Sequence, residues 1–342
     1  MASIKEIAAA AGVSPATASI VLSGKAEQYR ISAATRTKVT EAARQLNYQP
    51  NIAARRLRSS GEAARPIIAL FWALDARAML IGRFLKGLQE ELRRTEADYE
   101  LMVQPYEGTK LEQAASLITG TRFNGAIITN LTEQDQAYLE QADIQVPLVL
   151  YLRGSRRYSW VNVDSMRAGE AVAQLLAGRG HRRAGLLVPA LSSSALEQRR
   201  AGFLAAAAQC GMDVPEHSIA AGDYSESGGY EAMLRLLDSA DQAPTAVFAL
   251  SDQMAVGALA ALRTRGLQVP QQIELVGHDD DQVASFTEPP LTTVHLPVEE
   301  MAQQCLQQLL HVMNHQTQAP LTRMFDSRIV VRGSCGGTDS SR

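Results

Sequence analysis

The first fifty residues alternate short apolar stripes with helix start and stop signals. Ser3-Ile4-Lys5-Glu6 forms a capping box, in which the serine hydroxyl and the glutamate carboxylate each accept from the other's backbone N–H, so a helix begins there. It runs through alanines to Gly12, which can adopt the left-handed conformation that closes a helix. Ser14 is a good N-cap and Pro15 suits the first helical position, which predicts a second helix from Pro15 to about Leu22. After the loop around Gly24, Ser32 caps a third, whose Val39, Ala42, Ala43 and Leu46 fall at helical spacing. With Ile7, Val13 and Val21 they predict one small core. Pro50 ends the third helix, and Ile52 to Arg58, rich in alanine and arginine, is too short to hold a helix without a partner.

From Arg65 the texture changes. Apolar, strand-like runs at Ile67 to Trp72, Tyr99 to Val103, Gly125 to Asn130 and Pro147 to Tyr151 are separated by helical stretches such as Arg83 to Arg94 and Leu111 to Thr119. A second series follows at Gly185 to Pro189, Ser218 to Ala221, Ala246 to Ala249 and Ile273 to His278. Its helices are Met166 to Gly178, Ala195 to Cys210, Gly228 to Leu237 and Gln253 to Arg265, and a last strand-like run spans Arg328 to Arg332. Two doubly wound lobes are implied, with a ligand site beyond the carboxyl ends of the strands, in the cleft between them.

A length of 342 residues fits two or three compact units. No apolar run reaches the eighteen or so residues of a membrane span, and the N-terminus has no secretory pattern, so a cytoplasmic location is expected. Cys210, Cys305 and Cys335 are odd in number and far apart, which suits reduced thiols and no metal. His311 and His315, four apart, are two ligands without a third. Charge is uneven: up to Ser60 nine basic residues stand against three acidic ones, a net +6, so with −3 overall the remainder carries −9. A basic head on an acidic body suits contact with a polyanion, and a solvated charged face is the plain alternative.

Two helices joined by a tight glycine turn and braced by a third make a helix-turn-helix. At this point the chain resembles the lactose-repressor/galactose-repressor (LacI/GalR) family. The residues that carry the likeness are Ile7-Ala8 to Gly12-Val13-Ser14 with Thr17 and Ser19; Leu46-Asn47-Tyr48 with Pro50-Asn51 and Leu57; Gly180-His181; Arg199 to Phe203; Pro244-Thr245-Ala246 with Ser251 to Ala255; Val276 to Asp280; and Pro290 to Thr293. The resemblance implies an all-α helix-turn-helix head over 1–50, a hinge helix over 51–60, and an α/β body of two doubly wound parallel-sheet lobes like that of periplasmic binding proteins. The N-terminal lobe would comprise 61–163 and 293–321, the C-terminal lobe 164–292 and 322–332, and 333–342 a flexible tail.

On that resemblance the second helix lies in the major groove, with Pro15, Ala16 and Ile20 at the base-reading positions. Relatives often hold Gln, Tyr or Arg there, whereas these three cannot hydrogen-bond through their side chains, so readout leans on thymine methyls. Ser14, Thr17, Ser19, Arg30, Tyr48 and Asn51 suit phosphate contact or positioning, with helix capping as the plain reading of the hydroxyls. Leu57 corresponds to a leucine that wedges into the minor groove, with Arg55, Arg56 and Arg58 beside it. The expected partners are a palindromic operator, a second copy of the chain in a homodimer, and a small polar effector, with no cofactor and no membrane. For the effector, the pattern points to Arg199, Asp252 and Asp279, with Tyr224 at an aromatic position. Departures are Tyr151 where relatives often have an acid, Ser251 where many have Asn, and Leu296 where an amide is common; the pocket thereby loses hydrogen-bonding capacity. Phe71 and Trp72 are available as apolar surface, with a buried strand end as the plain alternative, and Arg153, Arg156 and Arg157 read as a solvated loop, with a phosphorylated or carboxylated effector as the other reading. A sugar or sugar derivative is weakly favoured, and an inducer or a corepressor fits equally. Walker, HExxH and GxSxG motifs are absent, and so is a dinucleotide fingerprint, which argues against an enzyme. A periplasmic sugar-binding protein would carry a signal peptide and no basic head.

Overall fold

The computed structural model describes residues 4–22, 26, 29–46, 65–73, 80–96, 98–114, 122–142, 144, 146–190, 193–239, 243–315 and 320–336. In the head, α1 (Ile4–Ala11), α2 (Pro15–Leu22) and α3 (Ala33–Gln45) enclose Ile7, Ala8, Ala18, Val21, Val39, Ala42 and Ala43. Gly12 takes φ +65°, a conformation that costs a glycine little, and closes α1 as its glycine implied. Thr17 N–H donates to Ser14 Oγ at 3.1 Å, and Thr35 N–H to Ser32 Oγ at 3.2 Å, so both serines act as caps. Leu46, expected in this core, is 39% exposed. The capping box at Ser3 and the whole 51–60 hinge lie outside the described residues.

The body holds two six-stranded sheets. The first contains β1 (Ile67–Ala73), β2 (Glu100–Tyr106), β3 (Gly125–Thr129), β4 (Leu148–Tyr151), β5 (Ser159–Val163) and β11 (Thr322–Phe325), in the order β11-β5-β4-β3-β1-β2 and parallel throughout. The second contains β6 (Ala184–Pro189), β7 (Ile219–Gly222), β8 (Ala246–Ala249), β9 (Glu274–Asp279), β10 (Thr292–His295) and β12 (Arg328–Val330), in the order β12-β10-β9-β8-β6-β7, with only β12 antiparallel. Covering helices in the first lobe are α4 (Ile81–Arg94), α5 (Glu133–Gln141) and α10 (Val298–His315); in the second they are α6 (Ser165–Gly178), α7 (Ser194–Gln209), α8 (Glu226–Ser239) and α9 (Asp252–Thr264). In each sheet the connection order reverses beside the first strand of the lobe, β1 or β6, which marks the crevice where ligands bind such sheets.

The chain crosses between lobes after Val163, His295 and Phe325. The expected crossings at 293 and 322 therefore move: β10 pairs with β9 in the second sheet and β11 with β5 in the first. Nor is 333–336 a tail, because Ser334 and Cys335 are buried, with Ser334 Oγ donating to the Leu275 carbonyl and accepting from Thr292 N–H. The helix expected over Leu111 to Thr119 is only a 3-10 turn at Leu111–Gln113 among the described residues.

Close helix packing fixes the second lobe. Gly169 on α6 and Gly202 on α7 face each other so tightly that a Cβ on Gly202 would overlap the Met166 carbonyl, and one on Gly169 the Arg199 carbonyl. Backbone cannot yield as a flexible side chain can. Gly202→Ala is therefore expected to cost about 2–3 kcal/mol, read by chemical denaturation, and to push Arg199 out of register.

Candidate functional site

On the head, α2 buries Ala18 and Val21 and leaves Pro15 and Ala16 exposed, with Thr17, Ser19 and Ile20 half-buried. The outward face is apolar at Pro15 and Ala16. Thr17 Oγ1 lies 2.8 Å from Ser14 Oγ, so these exposed hydroxyls take part in capping α2. Arg30 is exposed with φ +53°, beside Tyr29, itself 57% exposed. Tyr48, Asn51, Arg55 and Leu57 lie outside the described residues.

At the cleft, the second lobe contributes a polar cluster from three elements. α7 brings Arg199, fully buried, whose Nη1 donates to the Leu250 carbonyl at 2.7 Å. Desolvation pulls its guanidinium below the usual arginine range, partly offset by Tyr224 and Asp279. Ser251 caps α9 and accepts from Met254 N–H at 3.3 Å, placing Asp252 in the first turn. Asp252 is committed: its Oδ1 accepts from Thr293 Oγ1 at 2.6 Å and its Oδ2 from Asp281 N–H at 2.8 Å. The end of β9 supplies Asp279, held by Tyr224 and lying 3.0 Å from His278 Nδ1. Burial pushes His278 well below its ordinary range, so a neutral imidazole can donate to that carboxylate.

Burial also raises the carboxyls. Asp252 goes to about 8, through desolvation and then repulsion from Asp279; Asp279 goes to about 7, through desolvation opposed by Arg199 and Arg83. Asp281 goes to about 6 for the same first two reasons as Asp252.

The facing wall of the first lobe is aromatic. Trp72 and Phe84 meet edge to face with centroids 5.6 Å apart, and Phe84 and Tyr151 likewise at 4.8 Å. Leu296 and Val298 belong to the same layer. Trp72 Nε1 and Tyr151 Oη are buried without a hydrogen-bond partner among the described residues, as is Arg199 Nε. A buried donor left unpaired costs on the order of 1–3 kcal/mol, so these atoms are where a ligand's acceptors gain most. Leu296, packed in the same cluster as Trp72, Phe84 and Tyr151, donates its N–H to the Asp279 carbonyl at 3.4 Å, and Arg83 of the first lobe donates to the same carbonyl at 2.8 Å, which ties this wall to the end of β9.

Residues 3–51 match the model for bacterial regulatory proteins of the lacI family, and residues 173–335 that for the periplasmic binding protein-like domain. The ribose operon repressor of Escherichia coli strain K12 is 30% identical over 341 residues, covering 98% of this chain and 100% of the relative. The chain belongs to the LacI family. It is a DNA-binding transcriptional regulator with an effector-binding body, and its relatives are repressors rather than enzymes. Among solved structures, the CelR–cellobiose complex is 28% identical with a TM-score of 0.71, covering 98% of this chain and 100% of that one. The lac repressor dimer bound to operator and the anti-inducer ONPF is 25% identical with a TM-score of 0.71, covering 98% and 99%.

Within this LacI-family regulator, several neighbours of the cleft were not legible as site residues. Arg83 reads as a surface arginine of an amphipathic helix, yet it reaches Asp279 and Asp281 in the other lobe. Thr293 and Gly277 hold Asp252: a Cβ on Gly277 would overlap its Oδ1. Phe71 and Trp72 do not share a role, because successive strand residues face opposite layers and Phe71 packs on Phe123 instead. Arg153 is not solvated; it is 9% exposed, bonded to Gln136, with its Nη1 unpaired among the described residues. Arg157 lies over the Tyr158 ring and donates to the Glu140 carbonyl, and Arg156 is exposed. Among the described residues there is no group of three metal-ligating side chains, and no helix is long and apolar enough to cross a membrane.

Proposed function

We propose that the chain is a cytoplasmic, homodimeric repressor that binds a palindromic operator on the nucleoid and is controlled by an uncharged, polyhydroxylated effector, a sugar or sugar derivative, held between the lobes. What supports the effector reading is the clustering of Arg199, Asp252, Asp279 and Tyr224 at the ends of the second lobe's strands, tied through Arg83 and Leu296 to a first-lobe layer in which Trp72 Nε1 and Tyr151 Oη lack partners among the described residues. A hydroxyl both donates and accepts, so it can satisfy a carboxylate and an indole or phenol donor at once. Ser251 and Leu296 complete the wall. Relatives named for ribose and crystallised with cellobiose support the sugar class.

For DNA, α2 enters the major groove with Pro15, Ala16 and Ile20 against thymine methyls. Ser14, Thr17, Ser19, Arg30, Tyr48 and Asn51 contact the backbone, while Leu57 wedges the central step beside Arg55. A two-fold dimer matches a palindrome, as in the lac repressor dimer on its operator.

Calorimetric titration of the full chain with D-ribose, cellobiose and a panel of neutral monosaccharides and nucleosides tests the effector reading. Binding by at least one neutral polyol, reduced at least tenfold by Asp279→Asn, is expected. Binding only by anionic metabolites would overturn it.

A further inference from the structure

The turn at the end of β9 is held in a conformation that its own residues disfavour. Asp279 has φ +119° and Asp280 φ +54°, two successive non-glycine residues in the left-handed half of conformational space. Such strain persists only where surroundings over-determine it, and it gathers at ligand clamps and switches. Within the second lobe, Asp280 N–H donates to Thr293 Oγ1 at 3.3 Å and Asp281 N–H to Asp252 Oδ2 at 2.8 Å. The Asp280 carboxylate receives His295 Nδ1 at 2.8 Å and Arg332 Nη2 at 2.7 Å.

The turn's other restraint comes from the opposite lobe. Arg83, in the first turn of α4, donates through Nη1 to the Asp279 carbonyl at 2.8 Å and reaches Asp281 Oδ1 at 3.4 Å. Its Nη2 donates to the Leu296 carbonyl at 2.9 Å, on the segment that crosses between lobes. Its Nε and Nη2 bind the Glu299 carboxylate at 2.9 to 3.2 Å, which anchors the guanidinium on α10 of its own lobe. One planar group therefore fastens the effector-side turn, the crossing strap and two helices of the first lobe. The side chain is about four-fifths buried, and such a fork has the fixed geometry that makes arginine a positioning device.

We infer that Arg83 is the positioning residue through which the Asp279–Asp281 turn sets the angle of the first lobe, so that an effector's grip on Asp279 is transmitted to α4 and thence toward the head. Transmission rests on the effector occupying the interlobe cleft; the mechanical link does not. The residue is no part of the effector set, and its guanidinium is already engaged by Glu299, Asp281 and the carbonyls of Asp279 and Leu296.

The test uses the full-length chain with spin labels on the exposed native Cys210 in the second lobe and on Glu107→Cys in the first, the other cysteines being buried. Arg83→Met is expected to broaden the interlabel distance distribution and to raise amide exchange at Asp280 and Asp281 roughly tenfold, with the circular dichroism unchanged. Arg83→Lys should restore part of both. Affinity for a duplex selected from a random pool should shift at least about fivefold although the head is untouched. If Arg83→Met does not fold, Glu299→Gln and Asp281→Asn carry the same readouts, each removing one side of the link. An unchanged distance distribution and unchanged exchange in a folded variant would overturn the inference. Should no duplex be selected, the DNA reading fails on its own while the label distances still decide Arg83.

Discussion

Replacing Arg199 with methionine is expected to cost roughly 3–5 kcal/mol of stability and to abolish any effector response. The cost does not come from the lost hydrogen bond to Leu250 alone, which is worth about 1–2 kcal/mol. Arg199 is the buried cation that faces Asp279 and Asp252, and without it two carboxyls already lifted by desolvation have no compensating charge in the second lobe. Asp279, whose charged form Arg199 favours, would then join Asp252 in holding its proton at neutral pH. Arg199→Lys keeps a charge but not the planar fork and should fall between. Arg200→Met, one position along α7 and only half-buried, should cost under about 1 kcal/mol. Urea denaturation measures all three; a loss below about 1 kcal/mol for Arg199→Met would show that the charges are not coupled as described.

The second expectation concerns pH. Asp252 and Asp279 have folded values of about 8 and about 7 against about 4 when unfolded, so between these limits the native state binds more protons than the unfolded chain. Stability contributed by these groups is present at low pH and lost as pH rises toward 8. Asp280, held at about 2 by His295 and Arg332, and Glu299, lowered by Arg83, run the other way. Their stabilisation is lost only on acidification below about pH 4–5. Between pH 6.5 and 8.5 the buried pair carries most of the slope: Asp281, raised to about 6, and Cys335, raised to about 12, add to it with the same sign at the two edges, and His278, lowered by burial, opposes it only near its unfolded value of about 6.5. The melting midpoint should fall across that window. Asp252→Asn should lower the midpoint overall, because an amide accepts from only one of Thr293 and Asp281, yet it should flatten the slope. A wild-type midpoint that rises or stays level would contradict the assignment.

What could be read in the sequence follows from what is local. The start of α2 was visible because a cap and a proline at the first helical position act through neighbouring atoms. β1, β3 and β8 are buried on both faces, so each prints a nearly continuous apolar run. β5 escaped because it alternates, with Trp160 and Asn162 half-buried between Ser159, Val161 and Val163. β11, Thr-Arg-Met-Phe, escaped because it is an exposed edge strand with almost no apolar face. The crossings were misplaced by a few residues for a related reason: which sheet a strand joins is decided by pairing with residues far away in the chain, as Thr292 pairs with Val276.

The site divides the same way. Arg199, Asp252 and Asp279 stood in recognisable motifs. Arg83 did not, because its acceptors are nearly two hundred residues later, and because a helix surface is where an arginine is usually unremarkable. Asp252 also holds the β9 turn, accepting from Thr293 with one oxygen and from Asp281 N–H with the other, while Trp72 Nε1, Tyr151 Oη and Arg199 Nε are the buried donors without a partner among the described residues.

The most direct test of the account is selection of bound sequences from random duplexes by the full-length chain, followed by titration of the best duplex with salt. The prediction is an inverted repeat whose half-sites carry thymines opposite Pro15, Ala16 and Ile20, bound by a dimer with an affinity that falls steeply as salt rises. No enrichment over the starting pool, with no salt-dependent affinity for any duplex, would contradict it.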